Sequence, residues 1–385
     1  MRRPIPLAWL QLTREPLRLT IAVAGVGFAV LLILMQLGFR DAMFESAVRY
    51  HHALDYDLVM VSPKTHFIVK PETFARRRLY QTLGHEGVAN VTPVYLGQHF
   101  WKNPNRPTET RAIFAVGINP SHDVVDLSGA RSSWDRVKLA DVVLFDRASR
   151  PEFGPIVERF ESGERVITEM GARTVEVAGL FELGTSFGID GSVITSDLNF
   201  LRLFPNRRPG AIDLGLLELA PGVDPAAMRD AIASSIPRDV DLLTRAGFIA
   251  REKDYWNRNT PIGYVFLFGV IMGLGVGGVI VYQILFSDVS EHLREYATLK
   301  AIGYPNRYLF SVVLQESILL AVLGYVPGVL ATLGLYWVTD TATGLPLRLT
   351  TERAVFVLIL TLAMCCISGV IALRKVRSAD PAEVF

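Results

Sequence analysis

Four charge-free apolar stretches punctuate the chain, one near its start and three near its end: residues 19–39, 259–287, 317–339 and 354–373. A helix rises 1.5 Å per residue, so about 20 apolar residues cross a hydrocarbon layer ~30 Å thick. Each stretch is long enough. Residues 40–258, between the first and second, are polar, strand-rich and of domain size. The pattern predicts an α-helical membrane protein with four transmembrane helices in a 1+3 order and a large α+β extracytoplasmic domain. The expected divisions are an amphipathic segment at 1–18, spans at 19–39, 259–286, 308–338 and 354–373, the external domain at 40–258, connections at 287–307 and 339–353, and a tail at 374–385.

Inside 40–258 the polar and apolar positions alternate in short runs. Strands are expected at 56–61, 88–96, 111–116, 165–167, 174–181, 192–194, 211–219 and 240–243. A helix is expected at 71–83 with Pro71 at its start, and another at 224–235 with Asp224 as N-cap and Pro225 in the first helical position. The ends of the domain read as strand–helix–strand units and 119–208 as a β-rich insertion, which predicts two lobes. Thr244 suits the cap of a helix running through Trp256. Two continuations stay open: one helix to Phe286, ~60 Å long, or a break at 257–260. Pro261 argues for a bend on the way.

Lysine and arginine in the short flanks set the orientation. Arg2, Arg3, Arg14 and Arg18 precede the first span, Arg294, Lys300 and Arg307 lie between the second and third, and Arg374, Lys375 and Arg377 follow the fourth. The remaining short connection has only Arg348 and Arg353. Both ends and the 287–307 connection are therefore expected in the cytoplasm, with the large domain outside. The first span reads as a retained anchor, because its apolar core is long and Phe39-Arg40-Asp41-Ala42 offers no small-x-small cleavage site. Leu7, Trp9, Leu10 and Leu12 mixed with Arg14 and Arg18 suit a short helix at the membrane surface.

Composition narrows the function classes. Half of the residues are hydrophobic and the formal charge is +1, with a mean hydropathy of +0.31. No long basic stripe exists to neutralise phosphates, so no nucleic-acid partner is expected. The two cysteines, Cys365 and Cys366, sit together in the fourth span, so the external domain uses no disulfide.

Several patterns imitate chemistry. Gly184-Thr185-Ser186-Phe187-Gly188 matches G-x-S-x-G, but a further turn and strand follow where a nucleophile elbow needs a helix. His51-His52 and His85-Glu86 lack the i, i+4 pairing of a zinc protease and read as solvated or structural. Arg76-Arg77-Arg78 reads as a solvated helix face, with anionic headgroups or a partner as the functional alternative. No Gly-Lys dipeptide occurs, so a phosphate-binding loop is absent. No catalytic residue, metal site or cofactor of its own is expected.

Two patterns carry more. Gly269, Gly273 and Gly277 stand four apart on one face of the second span, a spacing that lets helix backbones approach closely. Packing within one subunit and a dimer seam or sliding surface both fit. Gly324 and Gly328, with Pro327 between them, suggest a second close contact and a kink. Residues 287–302 form an amphipathic helix, with Asp288 and Glu291 early and Lys300 late, as the helix dipole prefers. Val289, Leu293 and Tyr296 make its apolar stripe, and Gly303 and Pro305 stop it.

The run Arg294-Glu295-Tyr296-Ala297-Thr298-Leu299-Lys300-Ala301-Ile302-Gly303-Tyr304-Pro305, followed by Gln315-Glu316-Ser317 and Gly324, resembles a known permease signature. Macrolide-exporter, lipoprotein-release and cell-division ABC membrane proteins, the MacB/FtsX-like family, share it. Ala372-Leu373-Arg374-Lys375 through Asp380-Pro381-Ala382-Glu383 resembles that family's closing motif. Pro6-Leu7-Ala8-Trp9-Leu10-Gln11-Leu12 and residues 57–63 look most like DevC-type permeases of cyanobacterial heterocyst glycolipid exporters.

The resemblance implies a homodimer in the bacterial inner membrane, with ATP bound and hydrolysed on a separate ABC ATPase subunit. It further implies that motion passes through the connection between the second and third spans to the periplasmic domain. Cargo, a lipid or another amphipathic molecule, would be handled outside with a periplasmic membrane-fusion adaptor and an outer-membrane duct. By position, Glu291, Arg294, Glu295, Leu299, Lys300, Ala301 and Gly303 would be the coupling residues. Two other readings remain: a division-type regulator of a cell-wall hydrolase, and a ligand-sensing receptor or scaffold.

Overall fold

The computed structural model describes residues 7–122, 124–125, 127–292, 302, 305–343 and 345–378. The chain divides into two units, an α+β unit at 43–260 and a helical unit formed by 1–42 and 261–385.

The α+β unit is organised around a nine-stranded sheet. Its strands are β1 (Leu58–Val61), β3 (Val88–Asn103), β4 (Arg106–Ile118), β5 (Val142–Asp146), β6 (Val166–Met170), β7 (Arg173–Phe181), β8 (Ser192–Ser196), β10 (Leu214–Leu219) and β11 (Asp241–Thr244). They run in the order β11-β1-β10-β3-β4-β8-β5-β7-β6. A further pairing of Trp101 with Met170 brings β6 back to β3, so β3, β4, β8, β5, β7 and β6 close into a ring. The segment expected as an insertion thus supplies four strands, β5 to β8, to the same sheet.

Alternation along the strands sorts the side chains to two faces. Leu58, Met60, Tyr95, Ala115, Val143 and Phe145 enter one buried cluster, and Val59, Val61, Val94, Leu96, Phe114, Val116 and Leu144 the other. The core therefore divides by sheet face, not between the ends and the middle of the segment. Trp101 fills the ring, fully buried, its ring centroid 5.3 Å from that of Phe145.

Several elements differ from expectation: β5 and the helices Ile156–Glu161 and Asp197–Leu203 have no counterpart in it, and two expected elements take another form. The strands expected at 88–96 and 111–116 are the halves of one long hairpin, turned at Pro104 and Asn105. Asn103 Oδ1 accepts from the backbone N of Asn105 at 2.9 Å and of Arg106 at 3.2 Å, an Asx-type turn that sets the register. The helix expected at 71–83 begins later. Phe74–Ala75 (β2) pairs with Ala211–Ile212 (β9), and only then does α4 (Arg76–Gln81) start, because strand pairing claims the residues before it.

The helices α3 (Arg49–Ala53), α5 (Ile156–Glu161), α6 (Asp197–Leu203), α7 (Pro225–Ser235) and α8 (Arg245–Arg258) complete this unit. Asp224 caps α7, accepting from the N of Ala226 and Ala227, and Thr244 caps α8, accepting from the N of Gly247 at 3.1 Å. Helix α8 stops at Arg258 and the next helix begins at Ile262. The broken form of the two alternatives is the one observed.

The helical unit holds α1 (Leu7–Arg14), α2 (Pro16–Ala47), α9 (Ile262–Glu291), α10 (Asn306–Thr343) and α11 (Thr351–Ser378). Among the described residues, α2, α9, α10 and α11 are each long and apolar enough to cross a membrane. Their shared core is built from Val26, Ala29, Val30, Ile33 and Leu34 of α2 with Val281, Leu285, Leu320, Ala321, Val357 and Cys365. Leu267, Phe268, Leu330, Trp337 and Ile359 face outward. Helices apolar on every side suit a lipid surround. In α1, Leu12 is buried while Trp9 and Leu10 are exposed, as an amphipathic segment requires.

Candidate functional site

Helix α2 is the piece on which the small-residue faces close. A Cβ added at Gly273 would lie 3.0 Å from Ile33 Cγ1, and one at Gly277 would lie 2.6 Å from Ala29 Cβ and 2.8 Å from Met364 Sδ. Gly269 abuts Gln36. On α10, a Cβ at Gly324 would lie 2.5 Å from Val26 Cβ, and one at Gly328 would lie 2.7 Å from the carbonyl oxygen of Gly27. Both glycine faces are thus covered by α2 of the same chain, the within-subunit alternative. Pro327 lies inside α10 without ending it.

Polar contacts close the same bundle. Tyr336 Oη donates to the carbonyl of Leu34, and Tyr325 Oη donates to that of Ala354 at 2.7 Å. Arg353, expected only as a loop charge, is 9% exposed and reaches Asp41 at 2.7 Å, pinning the start of α11 to α2. At the other end of the bundle, Glu291 meets Arg18 of α2 at 2.8 Å and accepts from Ser287 Oγ at 3.2 Å. Its carboxylate anchors the end of α9 to α2, where sequence position had suggested a docking contact. The helix expected to start afresh at Ser287 begins as the last turn of α9, which His292 caps. Arg294, Glu295, Leu299, Lys300, Ala301 and Gly303 lie outside the described residues. Glu316 of the Gln315-Glu316-Ser317 motif is fully buried in α10 and faces Asp288.

The α+β unit holds a buried pair that sequence reasoning missed. His51 of α3 and Glu252 of α8 are 0% and 1% exposed, with Nε2 and Oε2 3.6 Å apart. The backbone N of Ile68 and Nε1 of Trp256 each donate to the Glu252 carboxylate at 2.9 Å. Burial pushes Glu252 up from 4.5 to about 7. Burial, with the nearby charges of His52 and Lys253, pushes His51 down from 6.5 to about 3. Two hundred residues separate the partners, so no local signal joins them.

These two shifts act on stability with opposite signs. Glu252, raised on folding, contributes stability that is full below 4.5 and is lost as pH rises through about 7. His51, depressed on folding, contributes stability that is full above 6.5 and is lost as pH falls toward about 3. Between 4.5 and 6.5 the slopes, each about 1.4 kcal/mol per pH unit, cancel. Single variants should unmask them. Thermal melts of Glu252→Gln should show a unit that weakens as pH drops from 6.5 to 4.5, whereas His51→Phe should weaken as pH rises over the same window. Parallel profiles for both variants would refute the pairing.

The G-T-S-F-G run forms a tight turn in which Ser186 and Ile189 exchange backbone hydrogen bonds. Ser186 is buried there, and no helix follows. The fully buried Asp146 holds the turn's entry: its carboxylate accepts from the N of Ala148, Leu183 and Gly184 at 3.1, 3.0 and 2.9 Å and from Ser192 Oγ at 3.2 Å. Of the arginine run, Arg78 pairs with Asp239 at 2.9 Å and Arg76 stacks over Tyr80. Among the described residues, no cluster of three His, Cys, Asp or Glu is placed to hold a metal.

The helical unit is thus a bundle of long apolar helices closed by glycine contacts and a few polar ones. Residues 266–381 match the family described as FtsX-like permease C-terminal. Uncharacterized ABC transporter permeases of Mycobacterium tuberculosis and Mycobacterium bovis are 22% identical over 256 residues, covering 61% of this chain and 67% of theirs. The periplasmic region of MacB from Actinobacillus actinomycetemcomitans aligns with a TM-score of 0.37 at 10% identity, over 51% of this chain and 92% of that one. The extracellular domain of the noncanonic ABC-type transporter YknZ from Gram-positive bacteria aligns with a TM-score of 0.34 at 13% identity, over 49% and 99%. The family match thus covers the part of the chain from α9 onward, under a third of its length.

Proposed function

We propose that this chain is the permease subunit of an ABC exporter, transmitting the motion of a separate ATPase to a domain outside the membrane. The match of 266–381 to the FtsX-like permease C-terminal family carries the reading. It is supported by the four long apolar helices and by the domain-sized unit between the first and second. In this reading the ends and the 287–307 connection are cytoplasmic, the 43–260 unit is periplasmic, and two copies assemble in the inner membrane. ATP belongs to the partner subunit. The cargo is a lipid or another amphipathic molecule, passed to an adaptor and an outer-membrane duct, and the nearest functional type is the DevC-like exporter.

The mechanism is one of linkage. Arg294, Glu295, Leu299, Lys300 and Ala301 would be the contacts with the ATPase. Motion there would enter α9, whose last turn is tied to α2 through Glu291 and Arg18. Helix α2 packs on both glycine faces, so it would carry displacement of α9 to the rest of the bundle.

Reversing charge at Glu295 places a cation against a surface that expects an anion, which can cost several kcal/mol at an interface. Glu295→Lys and Ala301→Glu, separately and together, should therefore reach the membrane in normal amount but lose co-purification of the ATPase. Full retention of the ATPase by all three variants would overturn the coupling assignment.

A further inference from the structure

One motif remains without a role in transport: the tight turn that carries Phe187. This side chain is 54% exposed at the tip of a turn closed by the buried Ser186 and Ile189. It does not stand alone. Phe187 packs edge-on against Trp256, with ring centroids 5.4 Å apart, and Trp256 receives Phe67 in the same manner at 5.5 Å. Phe67 in turn stacks on Tyr255 at 4.4 Å with the rings 12° from parallel. The two loops touch as well, since a Cβ at Gly188 would lie 3.2 Å from Val69. Around these rings Lys64, His66, Lys70 and Arg258 are exposed, Arg258 paired with Asp254 at 2.6 Å.

We propose that this face of the α+β unit is a membrane-surface contact, seated on the lipid headgroups next to the span that begins at Ile262. The proposal rests on the reading of α9 as a transmembrane helix. Three observations favour lipid over a soluble partner. First, Trp256 precedes Ile262 by six residues, and a chain of that length reaches at most ~20 Å. The cluster is therefore held within that distance of the start of the span whatever path the link takes. Second, aromatic rings with one apolar and one polar end are the side chains enriched at headgroup level. Tyr255 and Trp256, both half-buried, are of these residue types, and the Trp256 ring receives Phe67 and Phe187. Third, lysines flanking such rings complement anionic headgroups, an attraction worth about 1 kcal/mol per charge near the surface.

The arrangement is rigid. Hydrogen bonds from the N of Leu183 and Gly184 to Asp146 hold the entry to the Phe187 turn, and the α8 side of the cluster is fixed by the bond from Trp256 to Glu252. The G-x-S-x-G match thus marks a presenting loop, in which Ser186 lies buried beneath an exposed aromatic tip.

The test uses the full chain in nanodiscs, in a Cys365→Ala, Cys366→Ala background. Nitroxide labels go at Phe187→Cys, at Ser132→Cys, an exposed site elsewhere on the same unit, and at Val279→Cys on the outward face of α9. Collision with oxygen against collision with a water-soluble nickel chelate reads the depth of each. Position 187 should shift toward oxygen relative to 132, and should shift further in phosphatidylglycerol discs than in phosphatidylcholine discs. Lys64→Glu with Lys70→Glu should abolish the difference between the two lipids. A label at Lys64→Cys reads the same face should the Phe187 variant fold poorly.

Immersion at 279 with full chelate access at 187 and 64 in both lipids overturns the proposal and leaves the permease reading standing. Chelate access at all these positions overturns both. Protection of 187 that appears only after soluble periplasmic proteins are added overturns the lipid assignment in favour of a protein contact.

Discussion

Gly328→Leu is expected to leave little folded helical unit. The added Cβ would sit 2.7 Å from the carbonyl oxygen of Gly27 and 2.8 Å from Val30 Cβ, atoms of the facing helix that cannot rotate away. Helices α2 and α10 would have to separate, and within lipid it is close van der Waals contact, not water exclusion, that holds helices together. Overpacking of this kind costs about 3 kcal/mol or more, which lowers a melting transition by roughly 6–12 °C in a unit of this size. Gly275→Leu is the matched control, because nothing lies within 4 Å of a Cβ there. Size-exclusion profiles and thermal aggregation in detergent should separate the two sharply; equal behaviour would mean that the α2–α10 contact is not a close one.

Asp146→Ala should be the most damaging single change in the α+β unit. Its carboxylate is the common acceptor for three backbone N–H groups and the Ser192 hydroxyl. An orphaned buried donor costs about 1–3 kcal/mol, so the loss of an acceptor shared by four should reach ~4 kcal/mol or more. Limited proteolysis should then open residues 183–189 first, at denaturant concentrations the parent resists. A parent-like cleavage pattern would show that water or rearrangement satisfies those donors.

The four long apolar helices were legible because an uninterrupted apolar run of sufficient length has few other uses in a chain. Asp224 and Thr244 were legible as caps for a local reason: each side chain bonds an N–H only two or three residues away. The far half of the β3–β4 hairpin was not. There Trp101 is fully buried but sits among His99, Lys102 and Asn103, and its burial comes from ring closure with a strand that lies seventy residues on. The glycine faces show the same limit. Spacing on α9 and α10 identified a close-packing surface, yet small residues say nothing of which helix covers them, and α2 lies more than two hundred residues upstream. Of the candidate coupling residues, the structure describes Glu291 alone. Its engagement by Arg18 and Ser287 could not be inferred from a signature that begins at Arg294.

The sheet order also dictates a timetable for folding. Strand β1 has both its neighbours far along the chain, Leu58 aligning with Leu217 and with Thr244. At ~5–20 residues per second, the ribosome needs about 10–40 s after making β1 to deliver β11. Until β10 is made, earlier in that interval, β1 is an unpaired apolar strand, Leu-Val-Met-Val, of the kind that seeds aggregation. The ring strands β3 to β8 lie between Val88 and Ser196 and can close on one another sooner. Loop closure favours such nearer partners. The ring is therefore the natural first unit to fold, and β1 waits for its neighbours, a period in which a holding chaperone would do the most good.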